Sequence, residues 1–300
     1  MPFGPHKQTG LQLGLGMLAV VSLGFLVLFL AGPSADESLS NGDRTVAETG
    51  LTSVLPDAET RQVVEALKTA APATYAKLDA DARRAIGGGA DQEAISRMLL
   101  EALFAQFNDQ AFYLQSATSD DYQSIMAGLA AGLRQMQETD SAWCEGPKIA
   151  AFLAQNDETL VPSLLSEFPY GSPQYDWAMG WMETVLSVAS RAQARPRRYA
   201  KPSARDEAIL QQQGLALGSE QWGLALQVAA FANAEGVSYA KMQEVIGGMD
   251  VCELGIAVEN VSDRLPTDVR ARIWADLMPE IMIGNTPYVM YRVTDYFFLG

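Results

Sequence analysis

DQEAISRMLLEALFAQFNDQAFYL, residues 91–114, decides how the chain is read. Ile95, Met98, Leu99, Leu103 and Phe107 recur at helical intervals, so they share one face of an α-helix. Asp91 precedes the run as an N-cap, and the spacing predicts a helix reaching Leu114. Upstream, Gly87-Gly88-Gly89 ends a shorter helix that starts at Pro72 and carries Tyr75 and Leu78. Before it, Val63, Val64 and Leu67 mark the apolar face of a helix following Asp57. Downstream, Ser119 opens a helix with Ile125, Leu129, Leu133 and Met136 in register.

The same periodicity runs on. Asp140–Gly146 is a turn carrying Trp143 and Cys144; Pro147 starts a helix through Leu153, and Asp157 caps one holding Leu160, Leu164 and Leu165. The turn Pro169-Tyr170-Gly171-Ser172-Pro173 launches a helix from Tyr175 to about Ala192, with Trp177, Trp181, Val185 and Val188 on one face. Ser203-x-x-Asp206 has the form of a capping box. Helices are expected at 204–215, 219–234 and 238–263, then from Pro266 through Met278, where Pro279 should disturb the helix and Asn285 to Pro287 should end it. β-Formers concentrate only in the last dozen residues, from Tyr288 to Leu299. No fixed repeat period emerges, which excludes a helical solenoid of regular repeats. The expected fold is all-α: one compact multi-helix domain over residues 57–300.

Ahead of it lies Leu11–Ala31, LQLGLGMLAVVSLGFLVLFLA, without a charge. As a helix it would span about 30 Å, the thickness of a bilayer's hydrocarbon core. Lys7 and the amino terminus precede it, and Asp36 and Glu37 follow. Basic flanks stay on the cytoplasmic side, so residues 1–10 read as cytoplasmic and the body as exported. An Arg-over-Lys bias suggests a bacterial source, hence an inner-membrane anchor and a periplasmic body. The competing reading is a cleaved signal peptide, but the apolar run is long for one, and the best cut, after Ala35, has Pro33 at the −3 position. Gly10 and Gly14 form one small-xxx-small pair of the kind that packs two spans. Residues 32–56, rich in Ser, Gly, Asp and Thr, read as a flexible linker in which Val46, Leu51, Val54 and Leu55 are able to dock.

The formal net charge is −15, and with Lys7 on the inner side the exported part carries about −16. Such a body repels nucleic acid. Two cysteines, Cys144 and Cys252, are expected to form a disulfide in an oxidising compartment. The sole histidine, His6, precedes the apolar run. A body without histidine excludes Ser-His-Asp and Cys-His catalysis, HExxH zinc sites, di-iron ExxH pairs and histidine-ligated haem. Phosphate-loop, dinucleotide and EF-hand signatures are missing too, so no cofactor and no metal is expected. Asp79, Asp81, Asp120 and Asp121 suit helix termini rather than calcium.

Three strings remain. Ser238-Tyr239-Ala240-Lys241 has the SxxK form of penicillin-binding proteins, but without its SDN and KTG companions, and Ser238 serves as an N-cap. Glu183, following Trp177 and Trp181, would suit a glutamate-dependent cell-wall glycan hydrolase or lytic transglycosylase, against core packing of the same tryptophans. Met and aromatic content would also serve a hydrophobic ligand, though core packing explains it better. Finally, Arg191, Arg195, Arg197, Arg198, Lys201 and Arg205 follow one another with no acid between them. They are expected to contact anionic lipid headgroups, an acidic envelope protein or the body's own acidic helices, or to remain solvated beside Asp206 and Glu207. The expected role is a non-catalytic interaction or scaffold domain held at a membrane.

Overall fold

A computed structural model describes residues 50–153, 157–220, 248, 250–283 and 292. The apolar run 11–31, residues 32–49, the SxxK string, the helix expected at 219–234 beyond residue 220, the first part of that expected at 238–263, and the C-terminal aromatic stretch apart from Arg292 lie outside these. Among the described residues no helix is long and apolar enough to cross a membrane.

Every regular element among them is helical, and the one β contact is an isolated bridge, Glu145 to Asp250. The helices are α1 (Leu51–Val54), α2 (Ala58–Ala70), α3 (Pro72–Gly87), α4 (Gln92–Gln110), α5 (Ser119–Glu138), α6 (Gly146–Leu153), α7 (Asp157–Glu167), α8 (Pro173–Ala194), α9 (Ala204–Glu220), α10 (Val251–Arg264) and α11 (Thr267–Met282). Two 3-10 turns, Ala111–Ser116 and Ala142–Cys144, extend α4 and follow α5.

Local chemistry sets the boundaries. Asp57, Asp91, Ser172 and Asp250 accept the N–H three residues on, at 2.6, 2.9, 3.2 and 2.8 Å. Thr118 and Asp121 cap α5 reciprocally. Gly89, at φ 91°, takes the left-handed conformation that closes the turn after α3.

At the end of the stretch 32–56, Leu51 and Leu55 dock as their apolar character suggests: both are wholly buried, and the amide of Leu51 donates to Asp79 at 3.2 Å. Helix α11 continues past Pro279 to Met282. The proline stands in the last turn, where its missing N–H removes one bond and the helix closes through Ile283 N–H to Pro279 O at 3.1 Å.

The central seam joins α8 to α5. The indole N–H of Trp181 donates to Ile125 O at 3.0 Å and that of Trp177 to Gly128 O at 2.8 Å. Gly128 and Gly132 make the room: a Cβ on Gly132 would lie 1.9 Å from Trp177. On its other side α8 packs along α2, through buried Val63, Val64 and Leu67 of α2. Helices α10 and α11 close over α5 and the 3-10 turn after α4. Cys144 and Cys252, 108 residues apart, form a disulfide with a Cα separation of 4.9 Å. It ties α10 to the turn after α5, across the sequence that contains the basic loop.

Gly132→Ala should lower unfolding free energy by about 1–3 kcal/mol, because neither helix backbone nor indole yields that space cheaply; urea denaturation measures it. Reducing the disulfide should cost about 2–5 kcal/mol in the same assay, since it closes a loop of about 100 residues.

Candidate functional site

The basic loop leaves α8 and is strapped down at once. The Arg197 N–H donates to Ser116 O at 3.0 Å, and the Tyr199 hydroxyl donates to Ala117 O at 2.8 Å. Its backbone therefore rests on the junction between the 3-10 turn and α5. Arg191, still in α8, bonds Asp121 through Nη2 at 2.6 Å and Nε at 3.3 Å. Burial pushes the Asp121 carboxyl up, but the Arg191 guanidinium and the N–H and hydroxyl of Thr118 outweigh it and hold it below the usual range. One of the six cations thus serves the fold.

The other five behave differently. Arg195, Arg197, Arg198, Lys201 and Arg205 are all exposed. Among the described residues none forms an ion pair with a carboxylate. Asp206, one of the acids expected to balance them, turns away. Its carboxylate takes two bonds from Arg272, at 3.0 and 2.7 Å, and bonds from the amide and hydroxyl of Ser203, each 2.8 Å. The Ser203–Asp206 capping box therefore forms and also clamps α9 to α11. The Arg272 guanidinium holds the buried Asp206 carboxyl down at about 2, against the effect of burial.

Glu183 lies on α8 two residues beyond Trp181. Trp181 is buried and Trp177 half-buried, and both rings turn toward α5 with their N–H groups bonded to its carbonyls. Glu183 is half-buried and accepts a bond from Ser187 one turn on, at 2.7 Å.

The structure also gathers residues that sequence separation hides. Helices α2 and α8 begin side by side, so Asp57, Glu59 and Asp176 each bring a carboxylate oxygen within 4.8 Å of the others. The Tyr170 hydroxyl accepts the Asp57 N–H at 3.3 Å. Burial and the neighbouring Asp57 push that phenol up to about 12. Burial, with the charges of Glu59 and Asp57, raises the Asp176 carboxyl. Asp57 is lowered: Tyr170 and Thr60 outweigh its burial. No motif spans the interval from 57 to 176, and the only local hint is that both stretches open helices. Cys144, Cys252 and Asp250 also converge, but the two sulfurs are bonded to each other.

No protein-family model, curated protein or solved structure matches the chain. The fold defines the described body as an all-α, disulfide-tied bundle.

The Asp206 clasp sets a pH dependence. Its folded carboxyl titrates near 2, below the ordinary value of about 3.9, so its stabilisation is complete above about pH 5 and is lost as pH falls through 2. Urea denaturation from pH 7 to pH 2 should show wild type losing about 2–3 kcal/mol that Asp206→Asn does not lose, the variant being weaker by a similar amount at pH 7.

Proposed function

We propose that the chain is a membrane-anchored cell-envelope protein whose helical body is a non-catalytic interaction module, docking an anionic group of a partner at residues 195–205. The observation that carries this reading is the state of the basic loop: five exposed cations without carboxylate partners among the described residues, on a backbone fixed to the Ser116–Ala117 junction. A strongly acidic body has carboxylates to spare for its own cations, and here it pairs Arg191 and Arg272, while among the described residues these five have no carboxylate partner. Arg205 lies in the first turn of α9, where the helix dipole disfavours a cation, so its position gains nothing from the fold. Strapping lowers the entropy lost when the side chains engage a partner. Arginine forks suit carboxylate or phosphate.

The anchor and its orientation rest on residues 7–37 of the sequence alone. A disulfide between Cys144 and Cys252 supports exposure to an oxidising compartment.

The test is crosslinking in cells followed by quantitative capture. Wild type should capture a reproducible envelope partner, and the triple charge reversal Arg195→Glu, Arg197→Glu, Arg198→Glu should weaken capture about tenfold or more, at ~0.5–1 kcal/mol per contact. An unchanged partner yield with all three reversed would remove the loop from the function.

A further inference from the structure

We infer that the anionic group docked by the basic loop is the phosphate of membrane phospholipid, and that Phe112 enters the same bilayer surface beside it. This rests on the proposed role of residues 195–205 and names their partner.

Local charge is the first argument. Arg195, Arg197, Arg198, Lys201 and Arg205 are exposed, with no ion pair among the described residues. The acids that meet the loop's own elements are already taken: Asp121 holds Arg191, and Asp206 holds Arg272. Asp109, Asp120 and Glu207 remain in the adjoining segments, too few to neutralise the cations. The loop is therefore a positive island on a chain of net charge −15. Such a body meets an anionic bilayer with one face only, because the bilayer repels the rest.

The second argument is apolar. Among the described residues two large apolar side chains are exposed, Phe112 at 69% and Ile283 at 44%. A single exposed apolar side chain has no meaning by itself. Phe112, however, belongs to the 3-10 turn Ala111–Ser116, whose last carbonyl accepts the Arg197 N–H at 3.0 Å. At about 2 Å of rise per residue, Phe112 lies about 8 Å along the turn from that bond. Cations beside an exposed aromatic ring have the composition of an interfacial membrane contact. Phosphates take the guanidinium forks, and the ring exchanges water for the acyl boundary.

Reach is the third argument, and it separates the bilayer from a diffusing acidic protein. The apolar run ends at Ala31, and residues 32–49 join it to the body. Fully extended, that stretch spans about 60 Å. The chain enters the body near the start of α8, since the Asp57 N–H donates to Tyr170 in the turn before that helix. The basic loop leaves the far end of α8, 22 residues and about 33 Å away. The tether is thus long enough for the loop to face the membrane that holds the chain. That surface is always at high effective concentration.

The test uses the full chain reconstituted into vesicles of phosphatidylcholine alone or with about 30 mol% phosphatidylglycerol. Trypsin is added outside, and cutting after Arg197 and Arg198 is followed on reducing gels. Each variant is scored by the ratio of its cutting rates in the two lipids. Phosphatidylglycerol should slow cutting of wild type about fivefold or more, and about 0.5 M salt should remove that protection. Phe112→Ser should lose most of the protection. So should the pair Lys201→Glu with Arg205→Glu, which leaves both cut sites in place. These positions are exposed, so both variants should keep the wild-type Tm, which separates lost docking from lost folding. Equal cutting in the two lipids, or protection kept in both variants, overturns the bilayer contact. If it is overturned while crosslinking in cells still captures a partner through Arg195, Arg197 and Arg198, the loop keeps its role and the partner is an acidic protein. If capture also ignores those residues, the loop has no docking role at all.

Discussion

The close approach of α8 to α5, with two indoles seated over Gly128 and Gly132, is the constraint on which the other placements depend. It buries Trp181, fixes the rotation of α8 through two N–H bonds to main-chain carbonyls, and thereby turns the opposite side of α8 to α2. The two ends of α8 then have determined neighbours. Its first turn puts Asp176 beside Asp57 and Glu59, and its last turn puts Arg191 against Asp121 and delivers the chain to Ser116. Acids collect at the positive end of the helix dipole and bases at the negative end. Both candidate places are therefore consequences of one helix held in one orientation.

Features that depend on a few consecutive residues were legible in the sequence. Helix spacing located the apolar faces, and Asp57, Asp91 and the Ser203–Asp206 pair announced their caps. The cysteine pair followed from count and expected compartment. What escaped depends on approach between distant segments. Nothing around Gly132 says that Trp177 will lie against it. Nothing near Asp206 says that Arg272 will take it away from the cations of its own loop. The docking of Leu51 and Leu55 was legible as two apolar side chains at the end of a small, polar stretch, but not the Asp79 carboxylate that receives the Leu51 amide.

Chemistry by elimination carried further than chemistry by motif. A body without histidine leaves carboxylates, hydroxyls, lysine and arginine as its working groups. The indole N–H groups of Trp177 and Trp181 are engaged with α5, and Glu183 accepts a bond from Ser187. The charged groups divide into those the fold uses and those it does not. Arg191, Arg272, Asp121, Asp206 and the N-cap Asp57 belong to the first kind; the five loop cations belong to the second.

The disulfide has a consequence for how this molecule would come apart. Cys144 and Cys252 enclose the basic loop, an exposed stretch rich in the residues that trypsin-like proteases cut after. A nick at Arg195, Arg197 or Arg198 would leave two polypeptides still joined by the sulfur bridge. They would migrate as one species until reduced. The loop is thus the part of the described body where the backbone can be severed without letting the halves diffuse away from each other.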